Sequence, residues 1–472
     1  MTGFSAPMPL EIISYILEDF DHRTQTLHAC SLASHVFLAS TRKILFSVVS
    51  LTPERSLTLS ALMKADPGLS EYIQDIYIDI PHVKLRQRKY DTALQAILNT
   101  LSPRRLQMLH LEIGEPSSRH SWGKLSLALR AAVERILKFP SLETVNFMGT
   151  KNIPWNFLDH LSQTKSLTLS ASINMKGLAI NDKPEGQLQQ TVTTGVASLR
   201  CAPDNLDLSY NSKDLPASLT ALRTILDLSH LHTLVLSLQQ DDTDAIQTIM
   251  QDSLESLESF TCYCFFDEFS NQEPPDFSAV RNLRVMRIAT DTNNSARALQ
   301  WLFRVLKRLA SSPGEKGVVA LDVLTLHIDT LDNLGFRVLA SSPTWADLDN
   351  ILTSPPFANL KDVKVYIADP PSVSWLLSYR LPSGRVEDII QLLLPALHAK
   401  GLLEARPTHL SLEEILDGAE ETFELTHGAS DDSNQGDEME ESESEDRFDY
   451  IGYSHGDSSF DEEPSEEETG DA

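Results

Sequence analysis

The chain has 472 residues, 41% of them hydrophobic, enough for a sizeable core, and its formal charge of −28 excludes a generic nucleic-acid or anionic-membrane binder, because phosphate contacts need clustered Lys and Arg. The charge is uneven: residues 428–472 hold eighteen Asp and Glu against one Arg, net −17, leaving −11 for residues 1–427. Four cysteines make no disulfide framework, no apolar run approaches membrane-spanning length and no basic region leads into an apolar signal core, so the expectation is an intracellular protein, cytoplasmic or nuclear, without membrane or nucleic-acid partners.

At the start of the chain Pro9 suits the first turn of a helix, where its missing N–H would be unpaired anyway, and Glu11 sits near the positive helix end. Ile13, Ile16, Leu17 and Phe20 follow at i, i+3, i+4 and i+7, one apolar stripe. Asp21 and His22 break it; Leu27 and Cys30 begin another, and Phe37, Ile44, Leu45 and Phe46 continue the apolar count. About three short helices in so few residues are too little to bury a core alone, so their apolar faces call for a partner.

Met8-Pro9-Leu10-Glu11 with Leu17, then Cys30-Ser31-Leu32-Ala33-Ser34-His35-Val36-Phe37, then Arg42-Lys43-Ile44-Leu45-Phe46 resemble the F-box as it occurs in the F-box proteins of mushroom-forming fungi. Phe37 stands where the family usually has Trp, and His35 where it has a basic residue. The resemblance implies a helical module that docks on the linker subunit of a cullin-based (SCF) ubiquitin ligase, here through Pro9, Leu10, Ile13, Ile16, Leu17, Leu32, Phe37 and Leu45. The plainer alternative is an N-terminal helical cap on a repeat domain.

After a polar turn at Thr52-Pro53-Glu54 comes a short helical pattern over 57–63, closed by Asp66-Pro67-Gly68. Then a unit begins that recurs through the body: an apolar residue, two others, an apolar, one other, an apolar, first as Ile73, Ile76 and Ile78. Its first positions fall at 73, 106, 142, 164, 196, 231, 257, 283, 321 and 360, the fifth copy being Val196-Leu199-Cys201. The last two apolar positions alternate as a strand with one buried face does. Helical patterns lie between copies, such as Leu94, Ile97, Leu98, Leu101 and Leu299, Leu302, Phe303, Leu306. Strand then helix, repeated, is the layout of a leucine-rich-repeat solenoid with parallel strands inside and helices outside. The usual Asn or Cys three residues after the last Leu is missing, so the repeats are irregular. The alternative is an α/β domain of the doubly wound kind.

Residues 171–195 and 266–279 read as excursions, and Lys84, Arg86, Arg88 and Lys89 form one basic cluster, read as a solvated helix start. Cys262 and Cys264 share a strand face and read as packed core cysteines rather than metal ligands. The last helix spans 386–400, with Pro395 expected to kink or shorten it, Gly401 as its stop and Leu402-Leu403 as a closing strand. From 428 on, Ser, Glu, Asp and Gly dominate, a composition that stays disordered, with Phe448, Tyr450 and Tyr453 as a short aromatic motif.

No nucleophile elbow, phosphate-cradling Gly loop or paired Cys motif appears. The sequence therefore points to an α/β protein: a helical F-box-like module (1–50), an irregular leucine-rich-repeat-like solenoid (51–405) and an acidic, disordered tail (406–472). Its expected role is non-enzymatic and cofactor-free, a substrate receptor that joins the linker subunit and cullin to an unknown target protein. A free-standing interaction scaffold with a diverged F-box is the alternative, and an enzyme on an α/β scaffold a third class.

Overall fold

A computed structural model of the chain describes residues 17, 24–33, 35–80, 88–113, 122–174, 200–208, 222–223, 225–238, 243–264, 274–291, 295–311, 318–329, 339–368 and 386–408. The chain divides into two units, Met1–Gly418 and Ala419–Ala472, and every described residue belongs to the first. The chain beyond Thr408, which holds the acidic tail and its aromatic motif, lies outside the described residues, as do Lys84, Arg86 and most of the two excursions, while residues 406–408 of the expected tail belong to a strand.

Twelve strands form one all-parallel sheet whose spatial order is the order of the chain. They are β1 (Val48–Leu51), β2 (Asp75–Ile80), β3 (Met108–Ile113), β4 (Thr144–Pro154), β5 (Ser166–Asn174), β6 (Asn205–Leu208), β7 (Thr233–Leu238), β8 (Ser259–Cys264), β9 (Val285–Asp291), β10 (Val323–Asp329), β11 (Asp362–Ala368) and β12 (Leu403–Thr408). A parallel neighbour requires a crossover, and crossovers are right-handed almost without exception. Stepping always in one direction with one hand puts every connection on the same face. A doubly wound sheet reverses direction and covers both, so the strand order rules that alternative out.

Register shows what holds the layer together. Ile76, Leu109, Val145, Leu167, Leu206, Leu234, Phe260, Met286, Leu324 and Val363 are partners across successive strands, and none is more than 1% exposed. Each such side chain contributes about 1.5–3 kcal/mol by leaving water, but only because both neighbours stand beside it. The helices pack over this ladder: α3 (Pro53–Ala65), α4 (Arg88–Thr100), α5 (Leu127–Leu137), α6 (Thr243–Asp252), α7 (Ser295–Ser311), α8 (Thr344–Leu352), α9 (Val386–Leu393) and α10 (Pro395–Ala399). Most of their buried apolar residues and most of those of the strands form one cluster from Leu51 to Leu397.

One repeat departs from its expected place. Cys201 makes only an isolated bridge to Leu226, and the strand is β6, with Leu206 and Leu208 in the ladder and buried Pro203 at the first position. First positions such as Leu142, Leu231 and Leu360 donate a backbone hydrogen bond there, Leu231 to the Leu228 carbonyl. Proline has none to donate, so the unit survives in a form that a search for an apolar open chain passes over. In β4 the register slips after Met148, where Gly149 takes φ +63°, a left-handed conformation that glycine adopts without strain.

Before β1 stand α1 (Thr24–Ala33) and α2 (His35–Ser47). Leu17 and Leu27 make a separate small core, against which Cys30, Phe37, Ile44 and Leu45 pack, while the next residue, Phe46, packs on the main core. Helix α2 leads directly into β1, and Arg42 reaches across to Asp66 at 2.8 Å.

At the other end the expected helix is shortened to Val386–Leu393, and Pro395 opens a second one. Leu394, at φ −125° and ψ 58°, breaks the run, and Pro395 is the first residue of α10. The Asp349 carboxylate of α8, 5% exposed, accepts the backbone N–H groups of Ala396 and Leu397, both at 2.9 Å. Gly401 ends the segment at φ +69° and β12 closes the sheet. Asp349→Ala leaves both donors buried without that acceptor and is expected to cost about 1.5–3 kcal/mol, read as a lower urea midpoint at unchanged slope.

Candidate functional site

Side chains of a strand alternate between faces, so the single residue between the last two apolar positions of each repeat emerges on the side opposite the helices. Tyr77, His110, Asn146, Thr168 and Asp207 thus stand in one row across β2 to β6, in register and half-buried. No described helix lies over this face. Its residues were missed by a sequence reading that attended to the apolar positions, although the spacing of the repeat already carried them.

The face differs along its length. On β8 to β11 its C-terminal row is buried: Tyr263 and Ala289 form a small cluster with Val235, and the His327 ring stacks on Tyr366 at 4.8 Å and 19°. On β11 Lys364 pairs with Asp362 at 3.9 Å, and on β12 Arg406 pairs with Glu404 at 2.6 Å. From β2 to β6 the row stays open.

Its most distinctive corner is on β2 and β3. The Tyr77 ring lies against His110 at 5.3 Å and its hydroxyl donates to Met108 Sδ at 3.7 Å. Around this half-exposed pair stand Asp75, Asp79 and Glu112, with Asp79 and Glu112 directly opposite in register. Burial raises the carboxyls of Asp75 and Asp79, and Glu112 raises Asp79 further against the partly compensating His110. Burial and then Asp75 push the Tyr77 hydroxyl up in turn. Among the described residues no Lys or Arg forms an ion pair with these three carboxylates. The corner is chemically suited to a Lys or Arg side chain, through carboxylate contacts and the ring face.

The helical module places its expected docking residues unequally. Pro9, Leu10, Ile13 and Ile16 lie outside the described residues. Leu17 is 2% exposed and packs with Leu27 in the small core of the module. Two short helices with few apolar residues must spend some of them on a core of their own, and Phe37 and Leu45 are half-buried against it as well. Leu32 alone of these described residues stands out, at 86% exposed.

Cys262 and Cys264 are both fully buried on β8 with their sulfurs 3.4 Å apart. Burial and the neighbouring Cys264 push the Cys262 thiol well above its ordinary value, which keeps it protonated and a poor nucleophile or ligand. Among the described residues no group of three or more His, Cys, Asp or Glu is placed to hold a metal ion, and no helix is long and apolar enough to cross a membrane. Neither the known protein-family models nor the curated proteins include a match to this chain.

The opposed Asp79 and Glu112 give a prediction with a definite sign. The folded chain holds the Asp79 proton at a pH where the unfolded chain has released it, so the ionised group costs stability above its raised pKa and the cost disappears as pH falls. Asp79→Asn is expected to stabilise the protein at pH 7 by on the order of 0.5 kcal/mol, a small gain because solvent screens the pair. The gain should shrink as the pH is lowered through the carboxylate range, measured by urea unfolding at a series of pH values.

Proposed function

We propose that the protein is a substrate-receptor subunit of an SCF-type cullin ubiquitin ligase, built as an F-box-like module joined to an irregular leucine-rich-repeat-like solenoid. The observation that carries this reading is the closeness of two surfaces along the chain: α1 exposes Leu32, and α2, which follows it, runs directly into the first strand of a sheet whose β2 to β6 row is half-exposed among the described residues. The module docks on the linker subunit, with Leu32 as an outward apolar contact and Leu17, Phe37 and Leu45 holding the helices that present it. The open face holds the target protein, and cationic side chains of the target lie in the Asp75, Tyr77, Asp79 and Glu112 corner. Such a subunit performs no chemistry; it acts by proximity, raising the effective concentration of target lysines near the charged ubiquitin carrier.

A second reading has an observation of its own. Leu17, Phe37 and Leu45 close the small core on itself, which suits a helical cap on a free-standing interaction scaffold.

Affinity purification of the tagged full chain separates the two. Wild type is expected to retrieve the linker subunit and the cullin, and Leu32→Asp to lose both at an unchanged thermal midpoint, because that side chain touches no core. Glu112→Lys with Tyr77→Ala should keep the ligase subunits and lose the target. Retrieval of targets without ligase subunits by the wild type would establish the scaffold instead.

A further inference from the structure

On the helical layer, α7 turns one stripe of its surface away from the core. Arg304, Lys307, Arg308 and Ser311 follow the i, i+3, i+4, i+7 spacing of one helix face, while Trp301, Leu302, Val305 and Leu306 are buried beneath it. Segment 274–278 stands opposite, and the two walls enclose a cleft of about 580 Å³ lined chiefly by Asp276, Ser278, Arg304, Lys307 and Arg308.

The walls are tied in place. Arg308 donates to the Pro274 carbonyl, and the Asp276 backbone N–H donates to Gln247 Oε1 of α6. The Asp276 carboxylate accepts the Ser278 backbone N–H at 2.9 Å, and hydrogen bonds from Ser278, with Arg308 nearby, hold it below the usual carboxylate range. Its charge is thus committed to its own wall. Arg304 and Lys307 are different: their side chains make no hydrogen bond or ion pair with any described residue. Among the described lining residues Arg304 and Lys307 thus bring two positive charges without a described partner, while Arg308 lies near the Asp276 carboxylate, on a chain whose total is −28.

We propose that this cleft binds a phosphate monoester, contacted by Arg304 and Lys307, with Arg308 as a fixed charge behind them. A guanidinium presents a planar pair of donors to two phosphate oxygens, and an ammonium adds a point charge from the same turn of helix. Those two charges balance an ester that carries about −1.5 to −2 at neutral pH. A long polyanion is disfavoured, because residues 1–427 carry −11 in total and its flanks would meet that field. The inference stands apart from the ligase reading, since it involves neither the module nor the open face.

Calorimetric titration of the full chain tests it, with inorganic phosphate, a short neutral peptide bearing one phosphoserine, the unphosphorylated twin of that peptide, and acetate. Saturable binding of phosphate or phosphopeptide is expected, weakened about tenfold or more by Arg304→Ala with Lys307→Ala, since each removes a charge-assisted contact. The ligand-free thermal midpoint should not fall below the wild-type value. Lys307→Glu, at an exposed position, should give the same loss. A phosphopeptide that binds more tightly than inorganic phosphate identifies a phosphorylated protein as the source; the reverse identifies a free phosphate ester. The proposal is overturned if neither phosphate probe binds saturably, if acetate or the unphosphorylated peptide binds as well, or if the double variant binds like the wild type.

Discussion

The aligned ladder of apolar side chains through the middle of the sheet is the constraint on which the rest of the molecule depends. A strand contributes only alternate side chains to it, and each is dry only because the strands on both sides supply partners at the same height. Stability in such a layer is a sum of neighbour contacts. The helices fill one side of it because right-handed steps in a constant direction leave them nowhere else to go. The described helices therefore leave the opposite face, and this topology is what keeps a polar row such as Tyr77, His110 and Asn146 half-exposed.

A ladder of this kind has two ends, and the chain closes them differently. At the N-terminal end Phe46 and Val49 are partly buried against the main core, while Val48 remains 54% exposed on the outer strand. At the C-terminal end the paired helices α9 and α10 cover the last apolar positions, locked by Asp349 across to α8. Pro407 lies in the final strand, where the lack of a backbone donor discourages a further strand from pairing. The open edge is thus blunted at one end and joined to the helical module at the other.

Charge is distributed on the two layers with opposite sense. The strand face at β2 and β3 gathers carboxylates that no described Lys or Arg pairs with, and the α7 cleft on the helical layer gathers cations of which two lack described partners. In both places like charges are held close by backbone geometry: register opposes Asp79 to Glu112, and helix spacing aligns Arg304, Lys307 and Arg308. Repulsion of this sort is a cost to the folded chain that a ligand of opposite sign removes.

Much of the layer was legible in the residues alone. The repeat unit marks the strands because the two alternating positions, such as Ile76 and Ile78, carry the period of a buried strand face locally, and the helices after Lys89 and Ser295 show their own period in the same way. By itself the sequence determined an α/β chain of stacked strand-helix units with a short helical piece before them. Tertiary structure decided three things that local spacing does not contain. It shifted one repeat to Asn205–Leu208 because Pro203 serves where an open-chain apolar residue was expected. It turned Leu17 inward, since an amphipathic stripe states that a side chain is apolar and not which neighbour will cover it. It also built the α7 cleft, whose opposite wall comes from segment 274–278, far enough back in the chain that only packing across layers brings the two together.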